Sequence, residues 1–208
     1  SDAFSLAWMS GELHGLNGSG RSPVGLDAQR ILEMDTYPRD GWDPITVPGA
    51  VKAWVDMSTR FGALDFAECL QPAIRHAAKG YLLSPETAQD WKRSVTRFGD
   101  SESWRNTFLR DDRAPAEGDL VTLPDHARTL ASIAETNGSS FYHGELAQRI
   151  VDASQNSGGS FVMNDLEKHE SEWVTPISLD YRGRIVNEIP PNGQGIAALI
   201  ALGVLRHF

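Results

Sequence analysis

A single cysteine, Cys69, occurs in the 208 residues. An internal disulfide is therefore impossible, and a disulfide-stapled scaffold is excluded. Basic residues are also few: 19 Lys and Arg against 28 Asp and Glu give a net charge of −9. No basic stripe runs along the chain, and nucleic-acid binding would require one. The longest apolar stretch, Ile196 to Leu205, falls far short of the ~20 residues a spanning helix needs. The chain thus carries no membrane span, and no signal peptide is visible. Six histidines, at positions 14, 76, 126, 143, 169 and 207, never stand at a metal-ligand spacing with another His or Cys. No metal or cofactor is expected. Repeats and low-complexity segments are absent as well.

What is present is ordinary globular material. Hydrophobic residues make up 40% and charged residues 23%, enough to bury a core in one good-sized domain or two small ones. Phe4 to Trp8 and Glu12 to Leu16 alternate as two strands around Met9-Ser10-Gly11, a hairpin signal. Residues 22–48, with four prolines, read as loop. From Gly49 the period becomes helical: Val51, Trp54, Val55, Ser58 and Phe61 share a face, and Gly62 is a stop. Asp65 with Glu68 has capping-box spacing. Pro72 is expected to divide the next segment into a short helix and a second one ending at Gly80. Ser84-Pro85-Glu86 opens a helix with an apolar stripe of Ala88, Trp91, Val95 and Phe98. Residues 99–122 read as irregular. Helices are expected over Asp125–Thr136 and Glu145–Ser154, with a short one capped by Asn164 and Glu167. Val174–Tyr181 and Arg184–Ile189 read as strands joined at Arg182-Gly183.

The final helix, opening at Gly195, is apolar on every side. A helix apolar all round is buried all round, so its cover is expected from polypeptide outside these residues. The chain also begins without Met, and a longer precursor is expected.

Few side chains form a chemical constellation. Ser1 has the residue type of an N-terminal nucleophile, but position alone carries no geometry, and the bland reading is preferred. Cys69 and His76 would lie about 10 Å apart along a helix, too far for a dyad that needs contact near ~3 Å. Cys69 reads better as a small core residue. Asp35, Asp40 and Asp43 could approach a cation, but a calcium-loop spacing is missing and a solvated acidic loop fits better. "NGSGR", residues 17–21, matches neither a dinucleotide fingerprint nor a phosphate loop. Gly18 and Gly20 would let backbone approach a ligand, and Arg21 offers a planar fork for a carboxylate. Arg21 as an internal salt-bridge partner or surface residue fits equally well at this point.

The segments in order are "FSLAW", "ELHGLNGSGRSP", "TVPGAVKAWVDMSTRFGALDFAECLQPAIRHAAKGYLLSP", "GDLVTLPDHARTLASIAETNGSSFYHGELAQRIVDASQNSGGSFVMNDLEKHESEWVTPISLDYRGRIVNEIPP" and "GIAALIALGVLRHF". This ordered set resembles the large-subunit region of the γ-glutamyltranspeptidase family across nearly the whole of residues 1–208. The resemblance implies an α+β fold: the helix-rich large-subunit part of an αββα N-terminal-nucleophile hydrolase sandwich, incomplete alone. It implies a self-cleaving precursor whose small subunit begins with a nucleophilic threonine, which attacks γ-glutamyl amides such as that of glutathione and passes the acyl group to water or an amine. The partners implied are that small subunit and a γ-glutamyl small molecule. A periplasmic or secreted location is implied, with a cytoplasmic one compatible. In this register Ser19 stands where the family has a carboxylate-binding arginine, and Arg21 comes two places later as the substrate-binding candidate. The family's PP turn continues here as Pro190-Pro191-Asn192-Gly193-Gln194-Gly195. Both departures bear on acyl specificity, so a related acylase or amide hydrolase is the second expectation. A non-catalytic helical binding module is the third.

Overall fold

The computed structural model describes residues 2–208, so Ser1 lies outside the described residues. The chain divides into two compact units, residues 1–66 with 136–208, and residues 67–135.

The first unit begins with the expected hairpin. Strands β1 (Phe4–Met9) and β2 (Glu12–Asn17) pair antiparallel. Their two-residue turn has positive φ at Ser10 (53°) and Gly11 (85°), the twist a tight hairpin requires. The same device joins β6 (Ile177–Tyr181) to β7 (Arg184–Glu188), through Arg182 (52°) and Gly183 (77°). Between these hairpins the chain returns to the first sheet. Strand β5 (Glu172–Val174) pairs antiparallel with β2 and gives the order β1-β2-β5. The strand expected over 174–181 is therefore two. Pro176 lacks the donor a continuous ladder needs, and the chain changes sheets at Thr175-Pro176.

Helices α2 (Ala50–Phe61), α7 (Ser139–His143), α8 (Glu145–Asn156) and α9 (Met163–Glu167) belong to the same unit. Val51, Tyr142, Ala147, Val151, Phe161 and Leu166 are buried in its core. Two details of α2 and α9 differ from expectation. Ala53 is buried on α2 while Trp54 is exposed. The start of α9 is held by Asp165, whose carboxylate accepts the Val162 N–H at 3.0 Å, and not by Asn164. A short helix, α1 (Ala28–Leu32), interrupts the expected loop; Asp27 caps it by accepting the Arg30 N–H. The last helix, α10 (Gly195–Leu205), buries only Leu199, and Ile196, Ile200, Val204 and Leu205 are exposed.

The second unit is helical. Helix α3 (Phe66–Lys79) runs on through Pro72, contrary to the expected break. Pro72 and Glu68, one turn before it, are both exposed, so the carbonyl that loses its helical partner faces solvent and not core. Helix α4 (Pro85–Phe98) is capped as expected, Ser84 Oγ accepting the Thr87 N–H at 3.2 Å. The stretch expected to be irregular contains α5 (Glu102–Phe108) and β4 (Leu120–Val121); β4 pairs with β3 (Tyr81–Leu82). Helix α6 (Pro124–Glu135) completes the unit. Leu83, Ala88 and Val121 form its small core, with Trp91 packed against them and edge-on to Phe108. Among the described residues no helix is long and apolar enough to cross a membrane.

Candidate functional site

The end of β2 is tightly joined to the segment before α2. Gly18 donates to the Ala3 carbonyl at 2.8 Å, and its own carbonyl lies so close to Gly49 that a Cβ on Gly49 would overlap it. A Cβ on Gly20 would overlap the Val47 carbonyl in the same way. The glycines of "NGSG" and "VPG" are therefore fixed by backbone meeting backbone. The Val47 N–H then donates to the Arg21 carbonyl at 3.0 Å and the Gly20 N–H to Asp2 Oδ1 at 3.0 Å.

That joint leaves the Arg21 side chain exposed on the shared wall of two adjoining clefts. One, of about 520 Å³, is polar and lined in part by Asn17, Ser19, Arg21, Glu172 and Asn192. The other, of about 570 Å³, adds Asp165, Lys168 and His169. Among the described residues the Arg21 guanidinium makes no hydrogen bond or ion pair. The internal salt-bridge reading of Arg21 has no partner here. Two of the acids nearby are committed elsewhere: Asp165 also accepts the Val24 N–H at 2.9 Å, and Glu170 pairs with Lys52 Nζ at 2.9 Å. The two departures from the family pattern also meet, since Ser19 Oγ donates to Asn192 Oδ1 at 3.1 Å.

Behind the clefts lies a buried polar group that sequence reasoning missed. The Tyr142 hydroxyl donates to the Pro48 carbonyl at 2.8 Å and accepts from the Lys52 N–H at 2.9 Å. Burial pushes the Tyr142 pKa up to about 12. His169 stacks on Tyr142 at 5.5 Å, buried, and its Nε2 has no partner among the described residues. Burial holds its pKa below the usual imidazole value. At Lys52 burial works downward, but hydrogen bonds to Asp56 and Glu170 outweigh it and its pKa is raised. The "FY" pair at 141–142 was visible as a motif; a partner 94 residues away was not.

The other candidates do not assemble. Cys69 is exposed, not a core residue, and so is His76. Asp43 is the ion-pair partner of Arg30 at 2.5 Å. Among the described residues no three His, Cys, Asp or Glu side chains cluster as a metal site.

The family model for gamma-glutamyltranspeptidase matches residues 1–208. The chain belongs to the γ-glutamyltranspeptidase family. It is 35% identical over 193 residues to the glutathione hydrolase-like YwrD proenzyme of Bacillus subtilis, covering 92% of this chain and 37% of that protein. An Acylase ACY 1 proenzyme of a Pseudomonas species is 28% identical, with 85% of this chain and 32% of that protein covered. Among solved structures, the cephalosporin acylase from Bacillus halodurans superposes with a TM-score of 0.94 at 45% identity, over all of this chain and 40% of that one. The Helicobacter pylori γ-glutamyltranspeptidase gives 0.92 at 26%, over all of this chain and 62% of that one. The chain thus spans about a third of the length of these curated relatives. Its mixed α and β architecture is that of these N-terminal-nucleophile hydrolases, as the resemblance implied.

Proposed function

We propose that residues 1–208 are the large-subunit region of a γ-glutamyltranspeptidase-like enzyme. The reaction is cleavage of a γ-glutamyl amide by a threonine on a small subunit cut from the same precursor. The threonine oxygen attacks the amide carbonyl, the amine leaves with a proton, and the acyl ester passes to water or an acceptor amine. This chain's part is to bind the acyl group, with Arg21 reading its carboxylate. The observation that carries this reading is the unpaired Arg21 guanidinium on the wall of a polar cleft at the glycine joint. Family membership and relatives named as glutathione hydrolase proenzymes support it.

The test is Arg21→Ala in the full-length protein that carries this chain. Removing one partner of a desolvated charge pair costs roughly 2–5 kcal/mol, about 30-fold to several thousand-fold in kcat/KM on a γ-glutamyl anilide. An analogue without the α-carboxylate should be turned over equally by both proteins. Arg21→Lys should recover part of the loss, since a point charge cannot reproduce the fork. Self-cleavage should persist. Equal loss on both substrates would make Arg21 a purely structural residue.

A second reading, an acylase of different acyl specificity, is favoured by the neutral Ser19–Asn192 pair and by the acylase relatives. Faster turnover of a glutaryl anilide than of a γ-glutamyl anilide would select it.

A further inference from the structure

Asn192 lies in the turn after β7, and two donors converge on one of its atoms. Asn17 Nδ2 and Ser19 Oγ each approach Asn192 Oδ1 at 3.1 Å. Asn17 is itself held, its Oδ1 accepting the Ser19 N–H at 2.9 Å. Asn17 fixes which way the Asn192 amide faces, because a flipped amide would turn its N–H groups on Asn17 Nδ2, which can only donate; the Ser19 hydroxyl could serve either orientation. The oxygen of Asn192 is therefore spent. Its Nδ2 makes no hydrogen bond among the described residues, and the residue is exposed on the cleft that Arg21 also lines.

Among the unspent donors of the cleft are a guanidinium and an oriented amide from segments far apart in sequence. A carboxylate has two oxygens and accepts at both. Glu172 and the Lys52-paired Glu170 on the same wall disfavour a doubly charged anion, so a carboxylate suits the cleft better than a phosphate. We propose that Asn192 is a second carboxylate-recognition residue, its Nδ2 donating to the ligand beside Arg21, with Asn17 and Ser19 holding the amide in that orientation. This rests on the reading of Arg21 as the carboxylate clamp.

Asn192→Asp separates the roles, since it keeps an oxygen for Asn17 and Ser19 but loses the donor. The full-length protein is titrated calorimetrically with L-glutamate and with its α-amide. Wild type should prefer L-glutamate. Asn192→Asp should bind it roughly 10- to 100-fold more weakly, with α-amide affinity and melting temperature unchanged. The loss should persist in about 0.5 M NaCl, where repulsion over more than a few ångströms is screened. Unchanged affinity, equal loss on both ligands, or a loss that salt abolishes would overturn the proposal. Arg21→Ala is run beside it. If that variant loses the preference while Asn192→Asp keeps it, this inference fails and the Arg21 reading stands. If only Asn192→Asp loses it, the Arg21 reading fails and the paired recognition beside Arg21 fails with it. A wild type without preference overturns both.

Discussion

The unit of residues 67–135 closes over shorter stretches of chain: β3 pairs with β4 about forty residues on, and Leu83, Ala88 and Val121 pack in one cluster. The other unit is tied together by partners 94, 141 and 175 residues apart, in the Tyr142–Pro48, Val24–Asp165 and Asn17–Asn192 hydrogen bonds. Its joints are also backbone on backbone, at Gly18, Gly20 and Gly49. Side-chain packing can relax around a change, whereas two carbonyls with no space between them and a glycine cannot. The candidate site stands on the second kind of structure. Small changes at its glycines should therefore cost more than cap changes in the helical unit.

Gly49→Ala gives the largest expected effect. The added Cβ overlaps the Gly18 carbonyl and crowds His169 Nε2, so β2 and the start of α2 must part. Overpacking of this kind costs about 3 kcal/mol, read as a shift in denaturant midpoint, and L-glutamate binding should fall with it. A loss below about 1 kcal/mol would mean that the joint relaxes like ordinary core, and the contrast between the units would break.

Ser84→Ala should cost less. Ser84 Oγ accepts the Thr87 N–H at the start of α4, and loss of such a cap costs about 1 kcal/mol. Urea titration checks the magnitude, and calorimetry should show ligand affinity unaltered. A cap substitution that weakened ligand binding would couple the helical unit to the site and blur the distinction.

The same contrast explains what could be read from the residues. Both hairpins, the cap at Ser84, and helices α2, α4, α6, α8 and α10 arise from periodicity and turn residues, which are local. Helix α5 lay hidden because "ESWRNTF" is short and its capping Ser101 stands in a polar stretch. The expected break at Pro72 failed because proline propensity says nothing about which face meets solvent. At the site, Arg21 was legible as a residue type beside glycines. Asp165, Tyr142 and His169 were not, since each acquires meaning only from a partner more than ninety residues distant or from burial. The two departures at Ser19 and Asn192 were visible separately; their hydrogen bond is a property of the fold.

The smallest effect concerns pH and the buried imidazole. His169 is packed on Tyr142, and burial is the largest influence on it. Glu170, Asp2 and Asp56 pull its pKa up and Lys52 pulls it down, yet the net shift is below the ordinary imidazole value of 6.5. The unfolded chain then takes up a proton near pH 6.5 that the folded chain still refuses. Stability is therefore fully present above that pH and declines as pH falls from about 6.5 toward the lower folded value. Measurements between about pH 7.5 and 5.5 stay clear of most carboxylate titration. His169→Phe preserves a ring against Tyr142 and removes the proton, so its stability should vary less over that interval. Hydrogen exchange sharpens the test, because acid should loosen amides of residues 136–174 before those of 67–135, after correction for the intrinsic pH dependence of exchange. An identical pH slope in wild type and His169→Phe would show that His169 does not titrate in this window. Equal loosening of both stretches would show that the unit with the longer-range ties is no more sensitive than the helical one.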